Sequence, residues 1–152
     1  MKGMRGIRIL VGVGIVGACA VSCSSAVQSP VGPLQYASAT PSCGPADGPA
    51  VAILLSGNPD VTSAYPSYPL VRVTIWRSLS EARGKTVQLV GDNGFAAYSR
   101  SADDIVGATR GSVTIDAGTE AVTGTVDLTF PNREPVRGRF SAVWMERQIL
   151  CG

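Results

Sequence analysis

The chain contains no histidine, so mechanisms that need an imidazole near neutral pH are closed to it. That removes Ser-His-Asp and Cys-His catalysis, His-ligated zinc and the usual pH switch. Chemistry falls to carboxylates, hydroxyls, Lys85 and the cysteines. Asp103 and Asp104 are adjacent carboxylates. A calcium site takes six or more oxygens, and the D-x-D-x-D-G spacing is missing, so in their Arg- and Ser-flanked setting they read as a solvated acidic loop. Lys85 could activate a serine, but it follows Gly84 in a turn, where a lone lysine reads as surface charge. Gly12, Gly14 and Gly17 satisfy G-x-G-x-x-G. That fingerprint works only between a strand and a helix with an acidic residue about twenty positions on, and no acidic residue precedes Asp47. No catalytic residue, metal or cofactor is assigned.

A binding surface has better support. Tyr65, Pro66, Tyr68 and Pro69 cluster just before a strand, and Trp76 falls on that strand's outward phase with Arg72 and Arg77 nearby. Aromatic and arginine side chains supply most interface anchors. The competing reading has Trp76 covering the edge of the core while the Tyr-Pro run shapes a loop. Tyr65, Tyr68, Arg72 and Trp76 are the candidate binding surface, for an envelope protein, a glycan or a small apolar ligand.

Where such a surface would work follows from the beginning of the sequence. Lys2, Arg5 and Arg8 precede an uncharged apolar run, Ile9 to Val21, and then come Ser22 and Cys23. The small residues before the cysteine resemble the bacterial lipobox, in which a lipid such as palmitate is attached to the Cys sulfur and the preceding peptide is removed. A membrane-spanning helix needs roughly 18 to 20 apolar residues, more than this run supplies, and its glycines also suit a cleaved segment better than a retained anchor. A plain cleaved signal is the remaining alternative. Residues 1–22 are expected to be a lipoprotein signal peptide and Cys23 the lipidated residue, with the membrane as partner and the extracytoplasmic side of the cell envelope as the address. Ser24 resembles an outer-membrane sorting signal, so a cell with two membranes would place the protein in the outer one.

Cysteine counting supports Cys23. Cys19 also has a permissible approach, but cleavage there would leave Cys23, Cys43 and Cys151, one of them unpaired in an oxidising compartment. Cleavage before Cys23 leaves Cys43 and Cys151 as one expected disulfide. A redox or metal role fits less well, because neither cysteine lies in a C-x-x-C and no histidine is present as co-ligand. Removing the signal takes three of thirteen basic residues and none of the eleven acidic ones, leaving ten against eleven and a formal charge of −1. No clustered Lys/Arg face remains for nucleic acid, and no polybasic patch supports the anchor.

The elements that must position these groups follow. Residues 23–49, rich in Ser, Ala, Pro and Gly, read as the lipidated Cys and a flexible tether spanning ~25 Å. A strand at Leu34 to Ala37 is set aside because breakers surround it. Residues 50–152 read as an antiparallel β domain with strands near 50–56, 69–77, 86–90, 95–99, 111–117, 121–130 and 135–146. Gly91 to Gly94 reads as a hairpin turn, and Ser78 to Arg83 as one helical turn. In 121–130, Val122, Gly124, Val126, Leu128 and Phe130 share one face. In 135–146, Val136, Gly138, Phe140, Ala142 and Trp144 do the same. Joining the apolar faces sets Leu128 opposite Val136 and Asp127 opposite Arg137 on the wet face. It leaves Pro131 to Arg133 as a loop with Asn132 left-handed, and lays the Phe140 ring over Gly124. The expected fold is all-β, a single antiparallel sandwich or small barrel of about seven strands.

Tyr68-Pro69-Leu70-Val71-Arg72-Val73 with Trp76, Gly84-Lys85-Thr86, Gly111 to Ile115, Gly124 to Leu128, Val136 to Ala142 and Cys151-Gly152 together resemble a recurrent exported bacterial domain, found in uncharacterised lipoproteins and secreted proteins. The resemblance implies a β fold and export, and no catalytic residue. The sequence thus points to a non-catalytic binding module of the envelope, with a small hydrolase using carboxylates without histidine as the alternative. Metabolic labelling with a clickable palmitate tests the anchor: Cys23→Ser abolishes the label and Cys19→Ser retains it, whereas the reverse pattern would move the acylation site to Cys19.

Overall fold

The computed structural model describes residues 34–118 and 121–151. The expected signal peptide, Cys23 and residues 23–33 lie outside them. The described chain is all-β, with β1 (Tyr36–Cys43), β2 (Pro49–Ser56), β3 (Leu70–Ile75), β4 (Thr86–Gln88), β5 (Gly94–Ser99), β6 (Ile105–Gly107), β7 (Arg110–Ile115), β8 (Val122–Thr129) and β9 (Val136–Trp144). One short helix, α1 (Leu79–Ala82), follows β3. Its N-cap Ser78 forms a capping box with Glu81, whose carboxyl accepts from the Ser78 hydroxyl at 2.8 Å and the Ser78 N–H at 3.0 Å. These bonds hold the Glu81 carboxyl below its ordinary pKa, the hydroxyl contributing most. Among the described residues no helix is long and apolar enough to cross a membrane.

All nine strands belong to one sheet in the order β4-β7-β8-β9-β1-β2-β3-β5-β6. Each strand has an apolar face that needs burial. With no second sheet to cover it, the sheet twists and curls into a half-barrel around its own core. The buried cluster accordingly joins both halves: Ile53, Leu55, Val73 and Ile75 with Val113, Ile115, Leu128 and Phe140. Two crossings hold the roll. Leu89 is buried and donates its N–H to Gly111 O at 2.8 Å, and a Cβ at Gly94, on the far arm, would lie 3.1 Å from the Leu89 side chain. Consecutive residues make the second crossing, the Ala108 N–H bonding Ala96 O and the Thr109 N–H bonding Thr129 O, both at 2.8 Å.

Several expectations hold in detail. Leu128 pairs with Val136, Asp127 with Arg137 and Gly124 with Phe140. The exposed Asp127–Arg137 ion pair closes at 2.7 Å, and Asn132 is left-handed with φ 55°. Cys43 and Cys151 are disulfide-bonded, their Cα atoms 5.6 Å apart and 108 residues apart in sequence. A loop of that length corresponds to about 4 to 5 kcal/mol in the chain-entropy account.

Other expectations are corrected. The fold is neither a sandwich nor built of seven strands, and it is not antiparallel throughout: β1 runs parallel to β9, with Ser38 beside Val143 and Ala39 beside Trp144. Strand β1 lies inside the stretch read as tether. Its alanines and single proline have weak strand propensity, and it forms because β2 and β9 each offer an open ladder. The 91–94 turn is no hairpin, since β4 pairs with β7 and β5 with β3. Residues 101–104 do form a loop with Asp103 exposed, and within it Asp104 pairs with Arg133. Strand β6 was hidden by its three-residue length.

Gly124 shows how tightly this sheet is drawn. A Cβ there would collide with the Thr114 backbone carbonyl and lie 2.9 Å from the Phe140 ring. The ring can move and the carbonyl cannot, so Gly124→Ala is expected to lose about 3 kcal/mol or more in urea unfolding, with Gly124→Ala/Phe140→Ala no more stable. A loss below about 1 kcal/mol would refute this packing.

Candidate functional site

The outer face of the β1-β2-β3-β5-β6 arm is assembled from cross-strand rows. Ladder register places Ser38, Leu54, Arg72, Ala97 and Gly107 in one row, and Thr40, Ala52, Thr74 and Phe95 in the next. A third row holds Ser56, Leu70, Ser99 and Ile105. Small alanines between larger neighbours leave a hollow floor, and two chain segments raise its walls. One is the β2–β3 connection. It is held to the sheet by the Ser38 hydroxyl donating to Val61 O at 3.0 Å, and within itself by the Asp60 carboxylate accepting from Ser67 N–H at 2.9 Å and Ser67 Oγ at 2.7 Å. Asn58 adds a bond from its amide to Tyr68 O at 3.0 Å. The other wall is the segment after β9, fastened at one end by Met145 N–H to Ala39 O at 2.7 Å and at the other by the Cys43–Cys151 disulfide.

The result is a groove of about 790 Å³. Its floor is Ala52, Leu54, Leu70 and Ala97, with Phe95 and Ile105 at the β5–β6 side. Ser63, Ala64, Pro66 and Tyr68 line one wall, and Met145, Arg147 and Ile149 the other. Phe95 and Ile105 are 42% and 60% exposed, much for residues of their type. Arg72 and Arg147 both line the groove, and no carboxylate or lysine does. Among the described residues neither arginine forms an ion pair. Two hydroxyls of the Ala52 row, Thr40 Oγ1 and Thr74 Oγ1, are buried without a hydrogen-bond partner, an arrangement that native interiors rarely tolerate.

The expected binding residues divide. Tyr68 and Arg72 come together in the groove. Tyr65 is 92% exposed, beside the wall residues Ala64 and Pro66. Trp76 is half-buried and does not line the groove; a Cβ at Gly44 would meet it at 3.5 Å. Sequence reasoning missed Phe95, Ile105 and Arg147. The first two alternate with Ala96 and Val106, so their outward phase was readable, but the arm they extend was not. Nothing local marks Arg147.

The other candidates are engaged elsewhere. Asp104 accepts two bonds from Arg133 Nη2, at 2.6 and 2.8 Å, and the guanidinium lies 4.8 Å over the Tyr98 ring, which meets Phe130 edge-on. Asp116 accepts from Thr123 Oγ1 at 2.6 Å and from Arg139. Lys85 is exposed after Gly84, whose φ is 71°. No group of three or more metal-ligating side chains occurs among the described residues. No known protein family, curated protein or solved structure matches the chain.

The Arg133 contacts separate the adjacent carboxylates. Arg133→Ala is expected to cost about 2 kcal/mol in urea unfolding and Asp103→Ala less than about 0.5, with added calcium leaving both midpoints in place. A calcium-dependent gain lost in Asp103→Ala would reinstate a cation site.

Proposed function

We propose that this chain is a lipid-anchored protein of the cell envelope, attached through Cys23 on the extracytoplasmic side, whose β domain is a non-catalytic binding module using the outer-face groove. The observation that carries the reading is the groove's composition: an apolar floor between two walls, two arginines, and no carboxylate among its lining residues. Small-molecule sites have this character, mostly apolar with a few convergent polar groups. Hydrolysis without histidine would call for two placed carboxyl groups, and the groove lining contains none. The covalent reach from Cys23 to Leu34 is at most about 40 Å, so a lipid on Cys23 would keep the domain near the surface it enters.

The test places a photo-crosslinking residue at Phe95 in living cells, recovers the chain and weighs it intact, with the same residue at Gln88 on the opposite arm as control. A discrete mass increment is expected from position 95 and none from 88. Equal labelling at both positions, or no adduct at 95, would overturn the reading. Cys23→Ala tests the anchor separately and is expected to leave the membrane fraction.

A further inference from the structure

From the chemistry of the groove we infer its occupant: a single-chain amphiphile ending in a carboxylate, with its hydrocarbon along the floor and its head at Arg72 and Arg147. This rests on the groove being the binding site. The domain around it is close to neutral, with ten basic and eleven acidic residues after the expected cleavage. Yet the groove lining carries two arginines and no acid, while Arg133, Arg137 and Arg139 are spent on Asp104, Asp127 and Asp116. Both arginines are exposed and, among the described residues, without an ion-pair partner beside an apolar floor, so they are free to take an anionic head through charge-assisted hydrogen bonds.

The floor narrows the choice further. Leu54, Leu70, Ala97, Phe95 and Ile105 offer a continuous surface for a hydrocarbon chain, and the hydroxyls of Thr40, Ser42, Ser63, Ser99 and Tyr68 belong to the other lining residues. A second copy docked face to face would set the two arginines against their own counterparts. The volume, about 790 Å³, suits one small molecule. Thr40, whose Oγ1 is buried without a partner beside Ala52, is a further polar residue of the groove lining.

The test uses the full chain carrying Cys23→Ala, exported and purified, so that no attached acyl group competes. Three twelve-carbon probes are titrated below their aggregation limits: dodecanoate, dodecanol and dodecyltrimethylammonium. Dodecanoate is expected to bind at one site at least tenfold more tightly than dodecanol, with the cation weakest. Octanoate, four methylenes shorter, binds at least tenfold more weakly than dodecanoate, since each buried methylene contributes strongly. Arg72→Gln/Arg147→Gln brings dodecanoate down to the level of dodecanol and leaves dodecanol unchanged, which separates lost charge recognition from a damaged fold. Equal affinity for the three heads, an unchanged double variant or no saturable binding would overturn the inference. A protein-sized adduct at position 95 in cells would do so as well while leaving the groove as a binding site, so the two readings fail separately.

Discussion

The position of β1 between β2 and β9 is the constraint on which the rest of the structure depends. On one side it makes an eight-residue antiparallel ladder with β2, on the other a short parallel pairing with β9. The arm β4-β7-β8-β9 and the arm β2-β3-β5-β6 meet only through it in the sheet order. Parallel ladders are slightly weaker per residue than antiparallel ones, and this one is short. The junction is reinforced where it is weakest, by Met145 N–H bonding Ala39 O just past β9 and by the disulfide from the end of β1 to Cys151. The same two fastenings stretch 145–151 across the outer face and so make one wall of the groove.

The groove exists because this sheet has one face to fill. Curling satisfies the inner face, where Val51, Ile53, Val71, Val73 and Ile75 are fully or almost fully buried. The outer face of the same strands remains to be managed. Elsewhere a polar outer face does this, with Asp127 opposite Arg137 on β8–β9. On β2, β3 and β5 the outer positions include Ala52, Leu54, Leu70, Phe95 and Ala97, which water solvates poorly. The β2–β3 connection covers part of that surface and the segment after β9 covers another part, leaving the space between them open.

Charge divides along the same line. Carboxylates at 104, 116 and 127 meet arginines of the β8–β9 loop and of β9. Exposed pairs of this kind contribute little to stability, roughly 0 to 1 kcal/mol each, but they remove charge from that side. Arg72 and Arg147 are left lining the groove with no acid among its other lining residues. A nearly neutral chain thereby acquires a locally cationic, apolar recess.

What could be read from residues alone was whatever depends on neighbours close in sequence. Alternation placed the strands from residue 50 onward to within two positions, with β6 the one it missed, because a strand's two faces are written at every second residue. The β8–β9 register was legible for the same reason, two facing apolar sets joined by a short loop. Cysteine arithmetic found Cys43–Cys151. Tyr68 and Arg72, two of the four residues singled out from the sequence, line the groove. Strand β1 was not legible: in YASATPSC only Tyr36 and Thr40 favour extension, and its structure is lent by partners more than a hundred residues away on one side. The groove escaped for the same reason, since Phe95, Ile105 and Arg147 become neighbours of Tyr68 only after β5 pairs with β3 and the disulfide draws the final segment back. The sequence by itself determined the composition of each face; which faces meet was decided by the tertiary structure, through long-range pairing that no short window encodes.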